Sequence, residues 1–372
     1  MATPELLASA RDDLAVAAKL RQRWPADLVA AATQQSVLRQ QATTKFEHAS
    51  QMLFTRNGLE QATGDTVAGH RARRFVATGP HTSVLDLCCG IGGDLAALAA
   101  SLPHVVGVDR DEVHALVARH NASIAGADVS TVVADVTQLR LTSGHAVFVD
   151  PARRTGSQRG GSSPPLEWCW SLPVPFVAVK AAPGVDLAQV PDGWEVEFVA
   201  LGRDLKEAVL WAPAAAGAAR RATVLPVGAG EAAELVPDPS TPKAPIRRPG
   251  RYLLDPSPAV TRAGAVADLA ARLDAWQVDG RIAFLSADAA MSTPFGRCLE
   301  IIASLPFAVK ALTAELRRLD IGAVDLRRRG LAGDVDDLRR RLRPTGTRRA
   351  TVVLTRVVDK PWAFVCTEAP DA

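Results

Sequence analysis

The segment Ser83-Val-Leu-Asp-Leu-Cys-Cys-Gly-Ile-Gly-Gly-Asp94 decides how this 372-residue chain folds. Its first half is a short apolar run typical of a buried strand, and residues 94–100 after it have a helical pattern. Glycines between a strand and a helix let the backbone turn tightly and bring its N–H groups close to a ligand. The segment therefore predicts a ligand-binding loop at the carboxyl end of a strand.

Strand and helix patterns alternate after this loop. The residues predict further strands at 105–109, 130–134, 146–150 and 174–180, a helix at 112–122, a hairpin of 194–200 with 207–211, and a strand at 222–227. Such alternation is typical of βαβ units, so we expect an α/β fold with a parallel sheet.

The chain divides by composition into four parts. Residues 1–75 read as an N-terminal helical region, and 76–227 hold the α/β pattern. Six prolines between 226 and 249 mark a Pro/Gly/Ala-rich linker at 228–248. Residues 249–372 then read as a separate α+β domain, with helices predicted at 260–273, 307–319 and 335–342 and strands at 281–286, 321–327 and 350–358.

Composition excludes several classes of protein. With 48% hydrophobic and 22% charged residues the chain is neither disordered nor collagen-like. The longest stretch without a charged residue, 95–108, has 14 residues, against the roughly 20 that a membrane span needs. The five cysteines form no C-x-x-C pair, and the seven histidines all precede residue 150, with none at i, i+4 from another beside a Cys or acidic cluster. We expect a cytoplasmic protein with no membrane partner and no metal.

Two carboxylates restrict what the glycine loop binds. Asp86 lies four residues before Gly90, and Asp109 closes the second strand, where a carboxylate can accept both hydroxyls of a ribose. Leu95 occupies the third glycine position of the dinucleotide pattern G-x-G-x-x-G, which disfavours NAD.

At these residues the chain resembles motif I, D-x-x-x-G-x-G, of class I S-adenosylmethionine-dependent methyltransferases. The resemblance implies that Asp86 helps to hold the methionine end of the cofactor and that Asp109 binds its ribose. It also implies that Asp135 contacts the adenine amine, with Val136 supplying the adjacent backbone. The full set implied for the cofactor is Asp86, Cys88, Gly90, Gly92, Asp109, Arg110, Asp135 and Val136.

The segment Asp150-Pro-Ala-Arg-Arg154 closes the fourth strand at the same edge of the sheet. It resembles the (D/N/S)-P-P-(Y/F/W) motif of methyltransferases that act on exocyclic amines, which implies that Asp150 and Pro151 orient the acceptor nitrogen. Arg153 stands where that motif has an aromatic ring, so either its guanidinium, or Trp168 or Trp170, is expected against the base. The segment also looks like the D-P-P-R of RNA 5-methyluridine methyltransferases. Their S-C-N-P-like cysteine motif is absent here, which disfavours C5 methylation.

The resemblance extends over residues 45–366 when further segments are included. The chain looks like bacterial methyltransferases with a THUMP-like C-terminal domain, relatives of the trimethylguanosine synthase group. The segments that carry this are F-T-R-N-G-L-E-Q-A-T at 54–63, K-A-A-P-G-V-D at 180–186, L-K-E-A-V-L-W at 205–211 and R-Y-L-L-D-P at 251–256. The family implies a Rossmann-like class I methyltransferase sheet with an N-terminal helical cap and a THUMP-like α+β domain, S-adenosylmethionine as cofactor, and an RNA acceptor.

A basic region supports a polyanionic partner. Residues 310–349 hold twelve Lys and Arg against six Asp and Glu. The candidates for RNA contact are Lys180, Arg327, Arg328, Arg329, Arg339, Arg340 and Arg343. Our leading hypothesis is a methyltransferase acting on an exocyclic amine of a base in structured RNA such as tRNA or rRNA. The alternatives are a small-molecule or protein methyltransferase, and a non-catalytic RNA-binding protein that retains the cofactor fold.

Overall fold

The structure is a computed structural model that describes residues 4–79, 81, 83–153, 162–331 and 334–369, without the side chains of Arg153 and Val335. The chain forms two compact units. Unit 1 comprises Met1–Val196 and Glu207–Ala219, and unit 2 comprises Glu197–Lys206 and Arg220–Ala372.

The helices and strands have the following bounds. The helices are α1 Pro4–Ser9, α2 Leu14–Leu20, α3 Ala26–Ala42, α4 Arg56–Gln61, α5 Asp65–Ala77, α6 Gly93–Ser101, α7 Glu112–Ile124, α8 Leu166–Trp170, α9 Pro258–Ala263, α10 Val266–Arg272, α11 Val309–Arg318 and α12 Val335–Leu342. The strands are β1 Ser83–Leu87, β2 Val105–Asp109, β3 Ser130–Val133, β4 His145–Val149, β5 Ala152–Arg153, β6 Ser162–Ser163, β7 Phe176–Ala181, β8 Glu195–Leu201, β9 Asp204–Trp211, β10 Arg220–Leu225, β11 Ala233–Leu235, β12 Tyr252–Pro256, β13 Trp276–Gln277, β14 Leu285–Ala287, β15 Gly296–Pro306, β16 Ile321–Arg328, β17 Arg348–Val357 and β18 Lys360–Glu368. Short 3-10 turns lie at Val136–Gln138 and Leu187–Gln189.

Unit 1 is built on parallel strands in the order β7-β4-β1-β2-β3, with β9 antiparallel to the outer side of β7. The predicted α/β fold with a parallel sheet is confirmed. Because parallel strands point the same way, the residues at their carboxyl ends meet at one edge. That edge receives the glycine loop after β1, the acidic end of β2 and the D-P-A-R segment after β4.

The N-terminal helical region packs onto the glycine loop as well as onto itself. Buried apolar side chains of 38–59 form one cluster with Ile91, which lies inside the loop. Asn121 of α7 connects the two segments, because its amide bonds the backbone of Leu53 in both directions and also donates to the Ile91 carbonyl over 2.8 Å. The segment before α4 is therefore part of the site's framework.

Unit 2 contains a sheet in the order β13-β14-β12-β15-β18-β17-β16. Neighbouring strands are antiparallel except β16 and β17, which are parallel and joined by α12. Leu338 and Leu342 of α12 pack with Leu312 and Leu316 of α11 in the core of this sheet. The expectation of an α+β C-terminal domain is confirmed in its fold class.

Several element bounds differ from the expectation. The helix predicted at 260–273 is two helices, because Gly264 takes a left-handed conformation (φ 81°) that ends α9. The compact units also interleave along the chain, which crosses between them within β8 and β9, whereas the sequence predicts consecutive domains separated by 228–248. In the described ranges, no helix has both the length and the apolar character needed to cross a membrane.

Candidate functional site

Three carboxylates lie at the carboxyl edge of three adjacent strands in unit 1. Asp86 is the penultimate residue of β1, Asp109 is the last residue of β2, and Asp150 directly follows β4. Because β1 lies between β2 and β4, the topology places Asp86 between the other two. The edge is therefore strongly acidic, and it is suited to a cationic ligand.

Asp86 is fully buried, and neither of its carboxylate oxygens has a hydrogen-bond partner among the described residues. Burial, and next the nearby charge of Asp150, raise its pKa to about 7. A buried carboxylate with no hydrogen-bond partner costs free energy, and a cationic hydrogen-bond donor would offset that cost. The α-ammonium group of S-adenosylmethionine has the required charge and donors, and the site therefore fits the methionine end of that cofactor.

Asp109 organises the glycine loop. Its Oδ2 accepts the Gly90 N–H over 2.9 Å, and its Oδ1 accepts the Asp111 N–H over 2.9 Å. Each oxygen keeps a second lone pair, so the carboxylate can still accept ribose hydroxyls. Asp109, the residue expected to bind the ribose, is thus hydrogen-bonded into the glycine loop.

The two motif glycines have different surroundings. Nothing lies within 4 Å of the place where a Cβ on Gly90 would stand, so its backbone faces open space. A Cβ on Gly92 would lie 2.8 Å from the Ala118 Cα, so this glycine lets the loop pack against α7. Both have positive φ, 53° and 86°, which favours glycine at either position. Gly90 is the one that leaves room for a ligand.

The other residues expected at the cofactor lie around the same edge. Asp135 is exposed, and hydrogen bonds from the Thr137 hydroxyl and N–H lower its pKa. Val136 is buried beside it, and Arg110 is exposed after β2. Asp135 is therefore charged and fixed in direction, as a ligand for an amine requires.

Cys88 is half-buried in a left-handed conformation within the loop, and burial raises the pKa of its thiol. Burial also raises the pKa of Cys169 to about 12. Neither thiol has the low pKa of a nucleophilic cysteine, which agrees with the expectation against C5 methylation.

The structure joins Asp150 to Lys180, two residues for which the sequence suggests separate roles. Lys180 Nζ lies 2.7 Å from Asp150 Oδ2, and it also donates to Thr63 Oγ1 over 2.9 Å and to the Gln61 carbonyl over 3.4 Å. Pro151 is buried next to this cluster. The expected acceptor end of the site thus contains a carboxylate in contact with an ammonium group.

The position of the expected aromatic ring is only partly described. Arg153 lies in β5, which pairs with β6, but its side chain and all of Arg154 lie outside the described residues. Trp170 packs against Trp194 with ring centroids 4.6 Å apart, in an apolar pocket beside the start of β7. That is the amino edge of the sheet, so the expectation that Trp170 could stack on a base at Asp150 is wrong. Trp168 is half-buried on α8.

Sequence reasoning missed the contribution of residues 61–71. Gln61 and Thr63 precede α5, and α5 itself supplies Arg71, which is 1% exposed. The Arg71 guanidinium forms ion pairs with Asp94 and Glu207 and lies 4.3 Å from the centroid of the Phe148 ring. The 54–63 segment belongs to the wider family resemblance, and this was the available signal. The helical pattern alone gives no reason to place these residues at the sheet edge.

The arginines expected to contact RNA are not one surface. On α12, Arg339 pairs with Asp336 over 3.2 Å and Arg340 with Asp337 over 3.5 Å. Arg343 follows that helix, whereas Arg327 and Arg328 end β16 and Arg329 follows them, at the other end of the β16–β17 pair. The predicted set is therefore divided between two places in unit 2.

A cavity of about 330 Å³ in unit 2 is lined by Arg203, Arg297, Arg327 and Arg329 together with Asp255. Most of this positive charge is balanced locally. Arg329 pairs with Asp255 over 3.0 Å, Arg327 with Asp325 over 3.2 Å, and Arg297 with Glu368. Among the described residues of 327–349, the exposed arginines without an ion-pair partner are Arg328, Arg343, Arg348 and Arg349.

Family models match two segments of the chain. Residues 84–149 match a model described as methyltransferase domain, and 296–368 match one described as THUMP domain-like. The methyltransferase-domain match covers the glycine loop and the strands β1, β2 and β4, and it ends one residue before Asp150.

Relatives of the whole chain agree with these matches. An uncharacterized S-adenosylmethionine-dependent methyltransferase of Mycobacterium tuberculosis, in strains CDC 1551 and H37Rv, is 37% identical over 335 residues, which cover 85% of this chain and 89% of the relative. The fold is also that of a Porphyromonas gingivalis W83 protein, provisionally named a methyltransferase, whose crystal structure aligns with a TM-score of 0.74 and 21% identity over 94% of this chain and 92% of that one. The chain therefore belongs to the S-adenosylmethionine-dependent methyltransferases, and it is an enzyme that uses this cofactor and carries a THUMP-like domain.

Proposed function

We propose that the enzyme methylates an exocyclic amine of a base in structured RNA. The observation that carries this is the Asp150 carboxylate at the sheet edge. Its Oδ2 is bound by Lys180, while no described residue donates to its Oδ1. A fixed carboxylate oxygen with an available lone pair can accept one N–H of an amine and so aim the nitrogen lone pair at the donor.

The cofactor, when bound, supplies an activated methyl group, so the chain has to provide alignment and a dry site. We assign Asp86 to the α-ammonium group, Asp109 to the ribose hydroxyls, and Asp135 with Val136 to the adenine. Asp150 and Pro151 then form the acceptor side. No strong base is needed, because the amine nitrogen becomes more acidic once it has been methylated and can release its proton afterwards.

The THUMP-like match and the basic excess of 310–349 support RNA as the acceptor. We place the electrostatic part of the contact on the unpaired arginines 328, 343, 348 and 349, since a guanidinium without an ion-pair partner keeps its full charge for phosphate. Four such contacts correspond to a log–log salt slope of roughly −3, at about −0.7 per phosphate of single-stranded RNA.

The free cysteines fit a reducing cytoplasm.

The test is methyl transfer from labelled S-adenosylmethionine to total RNA from a host strain that lacks the gene. We expect label in RNA from the deletion strain and little in RNA from the parent strain, which is already modified. Nuclease digestion followed by nucleoside mass spectrometry then identifies the methylated atom. Asp150→Ala should abolish the transfer and leave cofactor binding intact.

Two sets of substitutions separate the RNA contacts. Charge reversal of Arg343, Arg348 and Arg349 should reduce RNA affinity and flatten the salt slope by about 2. Reversal of Arg339 and Arg340, which are already paired, should change the slope by less than 1. Label in protein or in a small-molecule fraction would replace the RNA assignment, and cofactor binding without any transfer would favour a non-catalytic RNA-binding protein.

A further inference from the structure

We propose that Lys180 is a positioning residue, which fixes the Asp150 carboxylate for the acceptor and is itself fixed by the 61–63 segment. This inference rests on the proposed function of Asp150. It assigns Lys180 a role inside the acceptor site in place of a contact with RNA phosphate.

The hydrogen bonds of Lys180 leave it little capacity for RNA. An ammonium group has three hydrogens, and three acceptors surround Nζ: Asp150 Oδ2 at 2.7 Å, Thr63 Oγ1 at 2.9 Å and the Gln61 carbonyl at 3.4 Å. The Lys180 side chain is only 14% exposed. A phosphate contact would require one of these bonds to break.

The strand register explains why the two residues meet. In the parallel pair of β4 and β7, Val149 lies opposite Val179, so the next positions, Asp150 and Lys180, are neighbours. Thr63 is held at this edge by the start of α6, because a Cβ on Gly93 would lie 2.6 Å from the Thr63 carbonyl oxygen. The ammonium group thus connects the segment between α4 and α5 to the sheet.

The charges around Asp150 make this lysine necessary. Asp86 is a nearby carboxyl group whose charge interacts with that of Asp150, and the Cys88 thiol stays neutral because burial raises its pKa. Arg71, a buried cation whose charge acts on Asp86, is already engaged by Asp94 and Glu207. Among the described residues, Lys180 is the cation in contact with Asp150, so its loss leaves a carboxylate that is free to rotate and repelled by its neighbours.

Kinetics with RNA provide the first test, in the full-length enzyme. Lys180→Met should lower kcat roughly ten- to a hundredfold, the loss expected for one charge-assisted hydrogen bond, with RNA KM and S-adenosylhomocysteine affinity within about threefold. Thr63→Val, which removes one neutral acceptor at nearly constant volume, should lower kcat by less than Lys180→Met. The matched control is Lys206→Met, which removes an exposed lysine 3.5 Å from Asp204. This control should leave kcat, RNA KM and S-adenosylhomocysteine affinity unchanged.

A double-mutant cycle then separates positioning from an independent role. In an Asp150→Asn background, Lys180→Met should add little further loss, because the charge it holds is already gone. Additive losses, or a Lys180→Met effect confined to RNA KM and the salt slope, would overturn the proposal in favour of an RNA contact.

A third measurement needs no RNA and no activity. In nitrogen-15 NMR, the Lys180 ammonium group should give a slowly exchanging signal that is missing in Lys180→Met and shifted in both Asp150→Asn and Thr63→Val. A Lys180 signal that exchanges freely and ignores both substitutions would refute the positioning role, whatever the acceptor is. If the signal behaves as expected and the wild-type enzyme labels no RNA, the RNA assignment fails and the positioning role stands.

Discussion

Cofactor affinity should depend on pH through Asp86. In the ligand-free enzyme, burial and the charge of Asp150 raise the pKa of this carboxyl group to about 7, so it is half protonated near neutrality. A cationic α-ammonium group binds the ionised form. Binding should therefore release a proton and become tighter as the pH rises through this range.

The magnitude follows from the same pKa. If only the ionised form binds, the apparent Kd is multiplied by 1 + 10^(pKa − pH), which is about 11 at pH 6 and about 1.3 at pH 7.5 for a pKa of about 7. The affinity should thus increase roughly eightfold between the two values. Close to pH 7 about half a proton should be released for each ligand bound.

Isothermal calorimetry with S-adenosylhomocysteine measures both quantities, when it is repeated in buffers of different ionisation enthalpy. Asp86→Asn is the control, because it removes the titrating group while keeping the size of the side chain. Its affinity should be lower by roughly ten- to a hundredfold and independent of pH over this range. An affinity in the wild-type enzyme that is flat, or that is higher at pH 6, would refute the assignment of Asp86 to the ammonium group.

Stability of the ligand-free enzyme should show the opposite dependence. The folded pKa of Asp86 lies above the unfolded value of 3.8, so the folded state binds more protons between these two values. The free energy of unfolding should therefore decrease as the pH rises from about 4 to about 7. Comparison of denaturant unfolding in the wild type and in Asp86→Asn isolates this contribution, which should be absent from the variant.

Three further predictions concern the loop and the thiols. Gly92→Ala should lower the free energy of unfolding by about 3 kcal/mol or more, because the strain of a left-handed alanine adds to a close contact with the α7 backbone. Gly90→Ala should lower the free energy of unfolding by about 1 kcal/mol and should mainly weaken cofactor binding. Denaturant titration measures the effect on stability, and calorimetry measures the effect on binding. Asp109→Ala should weaken cofactor binding roughly ten- to a thousandfold, since it removes two charged hydrogen bonds and the acceptor for the Gly90 N–H; unchanged affinity in calorimetry would contradict its role. Cys88→Ser and Cys169→Ser should retain methyl transfer, because burial keeps both thiols protonated, and loss of transfer with an intact fold would return the covalent C5 mechanism.

The sequence predicts the positions of the residues expected at the cofactor better than the contacts of those expected at the acceptor. Asp86, Gly90 and Asp109 lie in one local pattern of strand, turn and helix, so their spacing along the chain already determines their place at the sheet edge. Lys180 and Thr63 are 117 residues apart, and only the parallel pairing of β4 with β7 and the packing of residue 63 on α6 bring them together. Contacts of this kind depend on topology, which local periodicity does not contain.

The basic region shows a different limit. Counting charges over 310–349 finds the excess but not its pairing, because the aspartates of α12 lie three and four residues before its arginines. This spacing puts opposite charges on the same face of a helix, where they neutralise each other. The spacing was readable from the sequence, whereas the pairing of Arg329 with Asp255, 74 residues away, was not.

The interleaving of the two units has a consequence for how the chain is made. Unit 1 is incomplete until residues 207–219 have been synthesised, since β9 forms the antiparallel neighbour of β7 and carries Glu207, the partner of Arg71. Until then the nascent sheet has an exposed strand edge, and a buried guanidinium lacks one of its two carboxylates. A nascent chain that is stalled on the ribosome before residue 207 has emerged should therefore be sensitive to protease. Unit 1 should become protected only after residue 219 has left the exit tunnel. Translational pausing just downstream of that point would give unit 1 time to close before the rest of unit 2 emerges.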